Sequence, residues 1–165
     1  MIQRGPRFAI SGALFLADRA SKYWIEQNVS AFDSLPIIPG VFHIVHTQNR
    51  GAAFGFLNQS EGPLRSFLLI GVSSVILVYV ALQLWRMPKQ MWPQETVAAV
   101  ALALVFGGAL GNLFDRIWRG SVTDFLQVFI GSYEWPSFNV ADSAITIGAG
   151  LLFLALWRAK PQPAA

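Results

Sequence analysis

Two long apolar runs without a single charge decide most of what this chain can become. Ser66–Trp85 is 20 residues bounded by Arg65 and Arg86, and Thr96–Phe114 is 19 residues bounded by Glu95 and Asp115. A helix rises about 1.5 Å per residue and the hydrocarbon core of a bilayer is about 30 Å thick, so each run is long enough to span it. A third run, Trp135–Trp157, carries one charge, Asp142, and has a tryptophan at each end, as an interfacial aromatic belt requires. The first run is shorter. Phe8–Ala17 is clean, and then Asp18, Arg19 and Lys22 intrude before Tyr23 and Trp24. Arg4 and Arg7 ahead of a short apolar core also describe a signal peptide. A cleavage region needs small neutral residues, whereas this one would read Asp18-Arg19-Ala20-Ser21-Lys22. The expectation is therefore a retained span whose polar outer third is buried against its neighbours.

Hydrophobic residues make up 54% of the 165 and charged residues 13%, about half the charged share of a soluble domain. Disordered, collagen-like and free nucleic-acid-binding chains are excluded. The absence of cysteine removes disulfide scaffolds, iron–sulfur clusters, thiolate zinc sites and cysteine nucleophiles. The net charge of +3 reads as basic flanks of membrane spans. Arg4, Arg7, Arg86, Lys89, Arg158 and Lys160 lie in short flanks, and the other six basic residues are spread along much longer connections. Density of positive charge thus puts both termini in the cytoplasm. The outer segments are amphipathic. Val41–Thr47 is rich in β-branched and aromatic residues, Asn49-Arg50-Gly51 is turn chemistry, and Ala52–Leu57 follows, which predicts a small hairpin or curved sheet lying on the membrane. Ser121–Ser132, with Val122, Phe125, Leu126, Val128, Phe129 and Ile130, predicts a short interfacial helix.

Ionisable groups at membrane depth cost roughly 2.5–3.5 kcal/mol each on insertion scales, so their placement is informative. Here they gather at the outer ends of three spans: Asp18 to Lys22, Asn112 to Asp124, and Asn139 to Asp142. Ser21 and Lys22 are adjacent and do not face each other on a helix, which argues against a serine–lysine dyad. Ser143 has no base beyond its neighbour Asp142. His43 and His46 suit an exposed strand better than a metal site, having no acid at ligand spacing. Asp124 and Asp142 remain. Two carboxylates sharing a water can hydrolyse a peptide, the ionised one taking a proton from water and the protonated one donating to the developing oxyanion. The alternative is that each acid is scaffolding paired with Arg116, Arg119 or Lys22. Asp18 and Lys22, in favourable i,i+4 order, and Asp115 read as structural polar support. Gly107 and Gly111 form a GxxxG that points to close helix packing.

These residues resemble the bacterial lipoprotein signal peptidases, the signal peptidase II family. The resemblance runs through Asp18 and Lys22, through Asn49, Gly51, Ala52, Ala53 and Phe54, through Gly111, Asn112, Asp115 and Arg116, and through Val122, Asp124 and Phe125. It ends with Phe138, Asn139, Ala141 and Asp142. It implies an aspartic endopeptidase of the bacterial inner membrane, with no metal or other cofactor. Such an enzyme removes the signal peptide from prolipoproteins on the amino side of a diacylglyceryl-modified cysteine. It implies Asp124 and Asp142 as the catalytic dyad, with Asn49, Gly51, Asn112, Arg116, Asn139 and Ala141 positioning substrate or dyad. Its partners would be prolipoprotein substrates, membrane lipids and globomycin-type inhibitors, with no nucleic acid. The expected fold is a membrane all-α domain over 1–165. Four transmembrane helices (about 8–24, 66–85, 96–114 and 137–157) would carry a small periplasmic β-sheet cradle and the interfacial helix. The periplasmic segments would be about 25–65 and 115–136, with the active site near that face. The rival class is a small transporter or proton-relay subunit using the same acids. Against it, the sequence has no internal repeat and the acids cluster at one end instead of stepping across the membrane.

Overall fold

The computed structural model describes residues 4–31, 33–51, 63–88 and 93–158. Four long helices alternate with a small sheet: α1 (Arg4–Asn28), β1 (Ser34–Ile38), β2 (Phe42–Asn49), α2 (Pro63–Arg86), α3 (Pro93–Arg119), β3 (Val122–Ile130), β4 (Tyr133–Glu134) and α4 (Val140–Arg158). By length and composition, Leu64–Arg86, Glu95–Arg119 and Val140–Arg158 are able to cross a membrane. The helix α1 is as long as the others, but Asp18, Arg19, Lys22 and Glu26 lower its hydropathy. Large apolar side chains such as Phe67, Val75, Phe153 and Trp157 are exposed on the helices. That arrangement suits a lipid solvent, where exposed apolar surface costs nothing.

The helix α3 is the axis of the bundle, packed on α1, α2 and α4. Small residues make the approach close. A Cβ on Gly107 would lie 2.8 Å from the Ser11 carbonyl oxygen of α1, and one on Gly108 would lie 2.5 Å from the Ala141 carbonyl oxygen of α4. A Cβ on Gly111 would strike the Asp18 carboxylate at 2.6 Å. The expected GxxxG packing is present, and Gly111 makes room for a buried acid. At the opposite end Arg7 is 1% exposed and turns onto the end of α2, donating to the carbonyls of Leu84, Met87 and Pro88. These carbonyls have no partner further along their helix, and a cation there also meets the negative end of the helix dipole.

The four strands form one antiparallel sheet in the order β1-β2-β3-β4. Two expectations are corrected. Ser121–Ser132 holds no interfacial helix, because Val122–Ile130 is the strand β3. Its apolar positions satisfy a helical period, but its valines, Thr123 and phenylalanines fit a pleat, and the open edge of β2 takes it up, pairing Asn49 with Val122 and Phe42 with Val128. Gly120 and Gly131, at φ of 75° and 62°, bound the strand in the left-handed conformation that glycine adopts without strain. The predicted hairpin or curved sheet is present as this sheet. β2 folds back onto β1 through a turn containing Gly40, at φ 72°, while Ala52–Leu57 lie outside the described residues. The fourth helix begins at Val140 instead of 137, since Phe138 is extended and bonds both ways with the backbone of Leu126.

Candidate active site

The polar ends of the helices converge beneath the sheet. Asp18 and Lys22, on α1, are both fully buried. The Lys22 ammonium donates to Asp18 Oδ2 at 2.7 Å and to Asn112 Oδ1 at 3.0 Å, and forms an ion pair with Asp115 Oδ2 at 2.7 Å. Asp18 Oδ1 accepts the Ala141 N–H at 2.9 Å, near the start of α4. Asp115 also pairs with Arg19, whose guanidinium lies over the Phe114 ring. The ion cluster thus binds α1, α3 and α4 to one another with every buried charge paired, which a low-dielectric interior demands. Sequence spacing paired Asp18 with Lys22, and that contact is present.

Asn139 and Asp142 close a reciprocal cap on α4. The Asn139 side-chain oxygen accepts the Asp142 N–H at 2.9 Å, and Asp142 Oδ2 accepts the Asn139 N–H at 3.2 Å. This is the capping-box exchange, with Asn and Asp in place of the usual Ser/Thr and Glu/Gln. The other carboxylate oxygen of Asp142 accepts from Asn112 Nδ2 at 2.7 Å. Asn139 Nδ2 in turn donates to Asp124 Oδ1 at 2.7 Å, and Asn49 Nδ2 donates to Asp124 Oδ2 at 3.0 Å. One asparagine therefore bridges the two carboxylates that sequence reading singled out. Burial first, and then the neighbouring Asp142 charge, push the Asp124 carboxyl up to about 7, against the Asn49 and Asn139 hydrogen bonds and the Lys22 charge, which pull it down.

Both carboxylates line a cavity of about 870 Å³. Asn49, Asn112 and Arg116 share its polar end, and its long wall is apolar, built from residues such as Leu68, Val72 and Ile76 of α2 with Val105 of α3 and Ile145 of α4. Arg116 donates to the Gly51 carbonyl at 2.9 Å, which holds the end of β2 over the site, and Gly51 N–H bonds back to Asn49 Oδ1. Ala141 lies off the cavity, with its N–H on Asp18 and its carbonyl against Gly108. Ala52, Ala53, Phe54 and Phe56 lie outside the described residues. His43 bonds Ser34 Oγ and packs on Phe129, and His46 bonds the Val29 carbonyl. Among the described residues no three acids, histidines or cysteines gather as a metal site would require. Sequence reading did not find Thr47 or Ser137. Thr47 Oγ1 donates to the Asp124 carbonyl at 3.1 Å and meets Ser137 Oγ at 2.9 Å. Nothing in the local sequence marks a contact made across 77 or 90 positions.

Three helices long and apolar enough to cross a membrane, a capping sheet and two carboxylates on one cavity are the architecture of a membrane-embedded enzyme. Residues 10–158 match the family described as signal peptidase (SPase) II, and the chain belongs to that family. It is 40% identical to the lipoprotein signal peptidase of Solibacter usitatus over 98% of this chain and 96% of that one. It is 43% identical to the lipoprotein signal peptidase of Nitratidesulfovibrio vulgaris over 93% and 90% of the two chains. A solved bacterial membrane enzyme, determined by the in meso method at 2.3 Å, superposes with a TM-score of 0.80 at 30% identity, covering 98% of this chain and 95% of its own.

Proposed function

We propose that this chain cuts diacylglyceryl-modified prolipoproteins on the amino side of the lipidated cysteine, with Asp124 and Asp142 as the acid–base pair. The observation that carries the reading is the Asn139 bridge, which puts two carboxylates on one cavity with different surroundings. Asp124, with its carboxyl raised to about 7, holds the shared proton and donates it to the scissile carbonyl oxygen. Ionised Asp142, fixed by Asn112 and the helix cap, takes a proton from the attacking water. Asp142, now protonated, gives that proton to the leaving amine as the C–N bond breaks, and a hydroxyl of the tetrahedral intermediate returns its proton to Asp124 as the carbonyl re-forms. Asn49, Asn112 and Asn139 hold the carboxylates in register, and Arg116 and Gly51 frame the peptide. The apolar wall below takes acyl chain or signal-peptide side chains, and globomycin-type inhibitors would fill the same cavity.

In this reading α1 is a fourth span, 1–165 is one membrane domain, both termini are cytoplasmic, and the site faces the periplasm. The test is a cleavage time course on a lipidated preprotein. Asp124→Asn and Asp142→Asn should each lose about 10²–10⁴ in rate while remaining folded in the membrane. EDTA should leave the parent rate unchanged. Near-parent cleavage by either variant removes the dyad, and inhibition reversed by zinc moves the chemistry to a metal.

A further inference from the structure

We propose that Glu26 is a positioning residue for Asp124, acting through the Thr123 hydroxyl to fix β3 against α1 and α3. The proposal rests on the assignment of Asp124 to the dyad. Neighbouring residues of a strand point to opposite faces, so with Asp124 turned into the cavity, Thr123 faces the back of the sheet. Thr123 is 1% exposed there. Its hydroxyl donates to Glu26 Oε1 at 2.8 Å and accepts from Gln48 Nε2 at 3.1 Å. Glu26, near the end of α1, is ion-paired with Arg119, the last residue of α3. Gln48, on β2, receives Ser121 Oγ at 2.9 Å. A single hydroxyl thus joins β3, α1 and β2 behind the dyad, and Glu26 extends the link to α3.

The ladder is interrupted immediately beside Asp124. Pairing of β2 with β3 is regular up to Ile44 and Leu126 and then slips, so that Asp124 stands opposite Thr47 and β2 carries one extra residue. Such a bulge disrupts ladder bonds just where Asp124 must be held. The Thr123 bond to Glu26 compensates from behind. It does not touch the cavity, so substrate binding does not depend on it. What depends on it is the placement of Asp124 relative to Asp142, where a shift of about 1 Å can cost about 10² in rate. The charged groups around Asp124 are Asp142 of α4, Arg116 of α3 and Lys22 of α1. A loosened β3 admits water and separates Asp124 from Asp142, and both changes make its carboxyl release its proton at lower pH.

The experiment compares the purified full chain with Thr123→Val, Thr123→Ser, Glu26→Ala, the Thr123→Val/Glu26→Ala double variant and Asp124→Asn, on a diacylglyceryl-modified preprotein across pH 5–9. Valine keeps the shape of threonine and removes the hydroxyl. Thr123→Val and Glu26→Ala should each lower kcat about 10- to 100-fold with KM within about twofold. Each should also move the alkaline limb of the rate profile to lower pH. Thr123→Ser should restore both kcat and the limb, and the double variant should be no worse than the poorer single one. Parent-like kcat and limb, a loss confined to KM, or losses that multiply would overturn the proposal. Should Thr123→Val not remain monodisperse, Glu26→Ala reads the same limb at a partly exposed position, and a parent-like limb there is equally fatal. Asp124→Asn separates the two levels: if it cleaves normally the dyad itself is wrong, and if it is dead while Thr123→Val is parent-like only the role of Glu26 is.

Discussion

The backbone and side chain of Asn139 do the work of two residues, capping α4 and tying Asp142 to Asp124. That double duty explains why the two carboxylates differ. Asp142 sits in the cap of α4, accepting from the Asn139 N–H and from Asn112, whereas Asp124 is pressed into β3 with little solvent. The pH dependence follows with a definite sign. In the proposed mechanism the reaction needs one proton on the pair, and Asp124 keeps that proton below about 7. As pH rises through that value the second carboxylate ionises and no acid remains for the carbonyl oxygen. The cleavage rate should therefore fall on the alkaline side, about tenfold per pH unit, with the bend near 7. The bend belongs to the coupled pair and is measured as log kcat/KM against pH at fixed ionic strength. A rate level from pH 7 to 9 would contradict the assignment of Asp124 as the acid.

Among the elements, α3 controls how accurately α4 presents Asp142. Gly108 touches the Ala141 carbonyl, one residue before that acid, so Gly108→Ala should push the start of α4 outward. Overpacking of this kind costs about 1–3 kcal/mol. Gly108→Ala should lower the melting temperature by several degrees and reduce cleavage more than tenfold. Gly71→Ala, where a Cβ meets nothing within 4 Å, should change neither. Equal effects from both would show that Gly108 is not a packing contact. The same elements show how much could be read in advance. The spans around 66–85 and 96–114 were legible because length and apolarity alone define them, and the acids of α1, α3 and α4 were legible because lipid forces buried charges to meet. β3 was not. Val122, Phe125, Leu126 and Phe129 fit a helical face as well as a strand, and the deciding factor was the free edge of β2, more than 70 positions earlier. For the same reason Thr47, Ser137 and Glu26 left no local mark, each depending on one hydrogen bond between distant segments.

At the scale of the whole molecule, the cavity joins a polar end holding two carboxylates to a long apolar wall formed by α2, α3 and α4. If both termini are cytoplasmic, that polar end faces the periplasm. A reporter active only in the periplasm should then be silent when fused after Ala165 and active when inserted near Asn58, and the reverse pattern would put the acids on the wrong side for this substrate. Depth then becomes part of specificity. A diacylated cysteine keeps its chains in lipid, because each buried CH₂ is worth about 0.8 kcal/mol, and so its peptide bond is held near the boundary of acyl chain and headgroup. Asp142 stands in the first turn of α4, which in the proposed orientation is within reach of a bond held in that layer. The polar end of the cavity offers few groups to grip a peptide directly, so much of the affinity and nearly all of the height registration should come from the acyl chains. A preprotein with the right small residues before its cysteine but no diacylglyceryl group should be cut at least about 10²-fold more slowly. Time courses of both forms at equal concentration in one bilayer preparation would measure this. Comparable rates would place recognition in the peptide and leave no physical reason for the carboxylates to sit at the top of an apolar slot.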